Sequence, residues 1–440
     1  MPDTMGRSAR GDLSRAGRAR TGNDTTDTTD TTDTNGATSP DGAVGAGRDE
    51  KVDAQVVGLL DTDGVRHRDP ELDRWLADVD AGTDEADATL LRLYSDMVTA
   101  RRLDTEATAL QRQGELALWP PLLGQEAAQV GSAHAMREDD FVFSSYREHA
   151  VALVRGVTPQ QLTPVWRGVT ASGWDPYSVG MATPQVIIGA QTLHAVGYGF
   201  GILCDAEREP AGVPADGTAA VVAYFGDGAI SQGDVNEAFV FAATWATPVV
   251  FFCQNNQWAI SEPVALQSPV PLAARATGFG MPGVRVDGND VLAVLAVTRA
   301  ALHRARTGGG PTLVEAVTYR MGPHTTADDP TRYRDADEVA AWAGRDPVDR
   351  FATWLRARGT LTDEAEQRTR AAADDAAAAL RAGCIATVDP PPLAIFDEVY
   401  AEPHAGLAAQ RDAYAQYLGS FADEDEHADA AGDGVTGGAR

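Results

Sequence analysis

Lysine is almost missing from this chain: Lys51 is the only one, and the other bases among its 36 are arginines. Against them stand 64 acids, for a net charge of −28. A polyanion of this kind excludes nucleic acid and anionic membrane as general partners, because both would repel it. An acidic, lysine-poor surface suits a high-salt cytoplasm, and GC-rich coding gives the same bias. Cysteine is scarce too. Cys204, Cys253 and Cys384 are odd in number, far apart and without a Cys-x-x-Cys pair. That excludes a disulfide framework and predicts a reduced, cytoplasmic compartment. No apolar run approaches the ~20 residues that a membrane span needs. There is no internal repeat, Cys/His metal cluster, Gly-x-Ser-x-Gly elbow or Rossmann Gly-x-Gly-x-x-Gly.

The 440 residues allow one large or two modest domains. Residues 1–55 are low in complexity, with an arginine-dotted start followed by Asp-Thr-Thr repeats, and are expected to be disordered. Asp3 and Asp12 interrupt the basic stretch and speak against a transit peptide. From 56 to 335, strand-like and helical patterns alternate, which predicts a mainly parallel, layered α/β sheet. Leu90–Gln113 reads as a long helix with an apolar face. Residues 336–418 are helical by period, and 419–440 form an acidic tail expected to be disordered.

The chemistry concentrates between Val221 and Asn256, VVAYFGDGAISQGDVNEAFVFAATWATPVVFFCQNN. Val221–Phe225 has the β-branched and aromatic character of a buried parallel strand. Val235, Phe239 and Ala242 put a helix over Ala229–Trp245, and Val249–Cys253 is a second strand. In a parallel sheet, ligands bind beyond the carboxyl ends of strands, where Asp227 and Asn256 fall. Oxygen donors beside glycines suit a hard divalent cation bridging to a phosphate, and the expected helix start would add N–H donors. Gly226-Asp227-Gly228 alone is a common turn. Followed after 26 residues by Asn255-Asn256, it resembles the thiamine diphosphate signature.

Further stretches make the resemblance specific: RQGELALWPPLLGQEAAQVG, SYREHAV, IIGAQ, GMPGVRVDGND, GPTLVEAVTYR and GPHTTADDPTRYR. Over about 56–419 the chain resembles the α subunit of the thiamine-dependent 2-oxo acid dehydrogenase first component, which handles pyruvate or branched-chain 2-oxo acids. Acetoin cleavage is a more distant use of the same scaffold. A non-catalytic assembly subunit is the reading from another class, and intact Asp227, Asn256, Arg147 and His324 speak against it.

The resemblance implies that Asp227, Asn256 and the Trp258 carbonyl hold Mg²⁺, while Gly228 and Ala229 approach the diphosphate. Tyr146 and Arg147 match a diphosphate-binding pair. Val186 and Ile188 match positions lining the middle of the cofactor, and His324 matches the loop histidine at its reactive end. The cofactor-activating glutamate would come from a β subunit in an α₂β₂ heterotetramer, and the acyl group would pass to a lipoyl-bearing second component. Two departures stand out. The loop after Arg167-Gly168 lacks the histidine many relatives carry, and Thr325 stands where mammalian relatives have a phosphorylated serine. The Gly322–Arg334 loop is expected to order around cofactor, with Arg332 and Arg334 pairing with Asp328, Asp329 or the partner chain once it closes.

Overall fold

A computed structural model describes residues 56–208, 216–397 and 399–432. The N-terminal low-complexity stretch lies outside them. At the centre is a parallel sheet of five strands: β1 (Phe141–Phe143), β2 (Val221–Gly226), β3 (Val249–Asn255), β6 (Gly283–Asp287) and β7 (Thr312–Val317), in the order β1-β2-β3-β7-β6. A two-residue hairpin, β4 (Trp258–Ala259) with β5 (Glu262–Pro263), follows β3. Every residue of β3 and β7 is buried, as expected for strands covered on both faces.

Alternation along the strands divides the core in two. Val222, Tyr224, Val250, Phe252 and Val314 face one cluster. That side carries α1 (Asp84–Arg112), α2 (Glu126–His134), α3 (His149–Val154), α4 (Pro159–Arg167) and, further on, α7 (Val291–Arg304). Val221, Ala223, Phe225, Phe251 and Leu313 face the other cluster, against α5 (Ala190–Arg208) and α6 (Gly233–Trp245). The period of two thus sends neighbouring side chains into separate cores.

Several boundaries differ from the sequence expectation for local reasons. α1 begins earlier, at Asp84, because Thr83 caps it through the Ala86 N–H and Asp84, Glu85 and Asp87 favour its positive end. Between β2 and α6, Asp227–Ser231 forms a 3₁₀ turn, so the helix starts at Gly233 rather than beside the glycines. α6 ends before Pro248, at Ala246 in the left-handed conformation. The C-terminal region forms α8 (Ala336–Ala343), α9 (Pro347–Arg358), α10 (Asp363–Ala386) and α11 (Ala405–Gly432). α11 runs through the stretch expected to be a disordered tail from 419. Alanine and glutamate favour helix there, and no proline or glycine interrupts them between Ser420 and Ala431.

Candidate functional site

Parallel strands point their carboxyl ends to one edge, and there a cavity of about 400 Å³ opens. All ten residues singled out from the sequence line it: Tyr146, Arg147, Val186, Ile188, Asp227, Gly228, Ala229, Asn256, Trp258 and His324. Asp227 and Asn256 leave the ends of β2 and β3. Tyr146 and Arg147 follow β1, and His324 follows β7. The strand ends form one side of the cavity, and the segments that carry Pro120, Trp166, Val186 and His324 form the rest.

Asp227 is 2% exposed, and burial pushes its carboxyl up to about 7. Its side-chain partner is the Gln267 amide at 3.4 Å, too little to balance a buried charge. The Asn256 carboxamide accepts the Trp258 N–H at 3.2 Å and donates to Gln125 Oε1 at 3.1 Å. Gln125 Nε2 is buried with no partner. Gly228 is required by close approach: a Cβ there would lie 2.6 Å from the Ala259 methyl.

Around His324 the chain is tied in several places. The Arg147 guanidinium donates to the Pro121 carbonyl at 2.6 Å and the His324 carbonyl at 3.0 Å, and sits 3.2 Å from His324 Nδ1. A guanidinium can only donate, so Nδ1 accepts and the neutral ring carries its proton on Nε2. Burial first, then the Arg147 and Arg320 charges, pull His324 down to about 4. The imidazole is therefore neutral near pH 7 and offers an Nε2–H. Tyr146 meets the same ring edge to face, with centroids 6.0 Å apart.

Three observations bear on the expected roles. In the chain by itself, Arg334 donates to the carbonyls of Arg320, Met321 and Gly322, while Asp328 accepts from the His324 N–H and Tyr333 OH; the pairing expected on loop closure around cofactor is a state that this structure does not contain. Asp328 is taken up by those two donors, and the Arg334 fork turns to the backbone carbonyls instead. The Trp258 carbonyl already accepts from Arg320 at 3.0 Å, so a metal ion there would share it with a cation. Val186 and Ile188 belong to no strand. Val186 is 63% exposed and Ile188 39%, which removes ordinary core packing as their role.

The sequence reading missed Glu148, Gln125, Gln254, Gln267 and Trp166, which also line the cavity. Glu148 is buried without a salt bridge. It accepts from Gln254 at 2.7 Å and from the Arg147 N–H at 3.2 Å, and burial raises it to about 7. Glu148 follows Ser144, Ser145, Tyr146 and Arg147 and precedes His149, so a charged residue there reads as part of a polar stretch and its burial has no local signal. Among the described residues, no group of three or more His, Cys, Asp or Glu side chains is placed to hold a metal. A cation would instead have one carboxylate with amide and carbonyl oxygens.

A family model described as "Dehydrogenase E1 component" matches residues 94–380. A 3-methyl-2-oxobutanoate dehydrogenase subunit alpha of Mycobacterium tuberculosis is 47% identical over 362 residues, covering 82% of this chain and 94% of the relative. A pyruvate dehydrogenase E1 component subunit alpha of Staphylococcus epidermidis is 36% identical over 364 residues, covering 82% and 92%. The protein of the same name from Staphylococcus aureus is 40% identical over 299 residues, covering 67% and 78%.

Proposed function

The chain belongs to the dehydrogenase E1 component family, and from that premise we propose how its residues serve the reaction. It is the α subunit of a thiamine diphosphate-dependent, decarboxylating 2-oxo acid dehydrogenase of the pyruvate or branched-chain type. The observation that carries the proposal is the single cavity that gathers Asp227, Asn256, Arg147 and His324 at the strand ends.

Asp227, Asn256 and the Trp258 carbonyl would hold Mg²⁺. The fit rests on Asp227: its buried carboxyl has only the Gln267 amide as a side-chain hydrogen-bond partner and the Arg320 charge nearby, and a divalent ion would compensate it more fully. Tyr146, Arg147, Gly228 and Ala229 face the diphosphate in this reading. Three of the five guanidinium hydrogens of Arg147 go to protein acceptors, and the rest remain for phosphate oxygens. Val186 and Ile188 support the middle of the cofactor. When bound, thiamine diphosphate supplies the electron sink for loss of CO₂. His324 Nε2–H would donate a hydrogen bond to developing negative charge at the substrate oxygen. Because Arg147 holds Nδ1, the ring keeps that donor pointed one way.

The α-subunit name implies a β partner. An α₂β₂ assembly in a cytoplasmic, multi-component complex, with acyl transfer to a lipoyl group, completes the proposal. Among the described residues, the cavity's carboxyl groups are Asp227, assigned to the metal, and Glu148, held by Gln254 and the Arg147 N–H, which favours a glutamate from the partner for activating the cofactor. The test is reconstitution. The purified α chain alone should show no decarboxylation of 3-methyl-2-oxobutanoate or pyruvate above background, and addition of β should restore it. Turnover by α confirmed free of partner would sink the shared-site reading.

A further inference from the structure

Glu148 lines the cavity at 5% exposure, and the reading above gives it no part in the reaction. Its hydrogen bonds belong to a closed ring of four residues, all buried. Gln129 Nε2 donates to the Arg147 carbonyl and to Gln254 Oε1, each at 3.0 Å. Gln254 Nε2 donates to Glu148 Oε1 at 2.7 Å, and Glu148 Oε2 accepts the Arg147 N–H at 3.2 Å. The ring therefore begins and ends on the main chain of Arg147, whose guanidinium donates to His324 Nδ1 and to the His324 carbonyl.

The direction of each bond is set from outside the ring. The Ala150 N–H donates to Gln129 Oε1 at 3.1 Å, which turns the Gln129 nitrogen toward the Arg147 carbonyl and toward Gln254. Gln254 must then give its oxygen to Gln129 and its nitrogen to Glu148. Two donors, from Gln254 and from the Arg147 main chain, meet position 148, and a carboxyl has an oxygen for each. We infer that Glu148 is a positioning residue: as the double acceptor that closes this ring, it locks the Arg147 main chain and so fixes where the guanidinium holds His324 and faces the diphosphate. The inference rests on the functional reading above and adds how two of its residues are kept in place.

A carboxamide at position 148 cannot close the ring. Its nitrogen would face either the Arg147 N–H or the Gln254 nitrogen, donor against donor. Turning the Gln254 amide moves the conflict to Gln129, and turning Gln129 as well sets its nitrogen against the Ala150 N–H and its oxygen against the Arg147 carbonyl. An unpaired donor in a buried network is costly, because nothing there replaces the lost water. Moving the carboxyl across the ring removes the conflict. In Glu148→Gln with Gln254→Glu, position 254 accepts from Gln129 and from position 148, while the oxygen at 148 accepts the Arg147 N–H. Gln129, on α2, belongs to the ring but not to the cavity wall, so a substitution there reaches the cavity only through its partners.

The experiment uses the assembled αβ enzyme with Mg²⁺. Titration calorimetry reads thiamine diphosphate affinity, and kcat and KM for 3-methyl-2-oxobutanoate and pyruvate follow at saturating cofactor. Glu148→Gln should weaken cofactor binding about tenfold and lower kcat about tenfold, the scale of one unpaired buried donor, with KM within about threefold. Gln129→Met should act in the same direction, and it serves if Glu148→Gln fails to assemble. Glu148→Gln with Gln254→Glu should return affinity and kcat to within about threefold of wild type. Affinity and kcat unmoved in Glu148→Gln, or in Gln129→Met where the first variant does not assemble, overturn the inference even if the melting temperature falls. So does a double variant no better than Glu148→Gln. Wild type that neither binds thiamine diphosphate nor turns over either acid would instead overturn the functional reading.

Discussion

The two sides of the cavity are built in opposite ways. At the strand ends, Asp227, Asn256 and Arg147 are 2–6% exposed, and their positions follow from the sheet. Along the Val186–Ile188 segment, three large apolar side chains stand 39–72% exposed on a stretch with no regular structure, just before α5. Polar groups are buried where apolar ones are expected, and apolar groups are exposed where polar ones are expected. Both inversions cost folding free energy, and both are understandable at a site that is complete only with its ligand and partner. The buried side anchors the charged end of a cofactor, while the exposed side waits for a surface that this chain does not supply.

Removing the anchor gives the largest effect. Asp227→Ala should weaken Mg²⁺-dependent thiamine diphosphate binding by on the order of 100-fold or more, measured by titration calorimetry on the assembled enzyme. The cofactor-free variant should melt at the same temperature or higher, because a poorly compensated buried carboxylate has been deleted. Unchanged affinity would remove the anchor from the site.

The exposed side tests the other half of the comparison. Ile188→Ala should lower kcat/KM by about tenfold, the equivalent of roughly two methylene groups of lost contact. Its melting temperature should stay within about 1 °C of wild type, as for surface substitutions in general. A drop of several degrees with unaltered kinetics would make Ile188 a structural residue and dissolve the contrast.

The difference between the two sides also explains what could be read from sequence. Continuous β-branched and aromatic runs and a helical face located β2, β3 and α6, and the rule for strand carboxyl ends then put Asp227 and Asn256 at one edge of the sheet, where the spacing between them gave the turn its meaning. Val186-Ile187-Ile188 carries only apolar character, which by itself argues for a core, and only the family resemblance put it at a site. Trp166 and Gln125 had no local signal at all. Trp166 lies at the end of a helix, and its place in the cavity wall depends on the Ala117 N–H bonded to its carbonyl and on its ring packing against Trp119, far away in the chain. The 3₁₀ turn at Asp227–Ser231 was hidden for a related reason: Gln232 is extended, and nothing in GDGAISQGD marks where the α-helical bonds begin.

The smallest effect concerns a buried carboxyl that supports the cavity from behind. Asp104 on α1 accepts from the Trp119 indole at 2.8 Å and from the Leu122 N–H at 2.6 Å, and so holds the segment that carries Pro120. Burial first, against these hydrogen bonds, raises its carboxyl to about 7, above the ordinary 3.8. A carboxyl raised in the folded state stays protonated there while the unfolded chain has lost its proton. Its stabilisation is full below about pH 4 and is lost as pH rises through about 7, with a slope of at most about 1.4 kcal/mol per pH unit. Glu148 and cofactor-free Asp227 shift the same way, so the wild-type slope combines all three groups. Asp104→Asn removes one of them. It also turns an amide N–H toward either Trp119 or Leu122, which should destabilise the fold by about 1–3 kcal/mol. Melting curves of the cofactor-free protein between pH 5 and 8 should then lie lower for the variant and fall less steeply between pH 5 and 7. Curves that run parallel would show Asp104 ionised throughout, and the packing of Trp119 would need a charged partner rather than a neutral one.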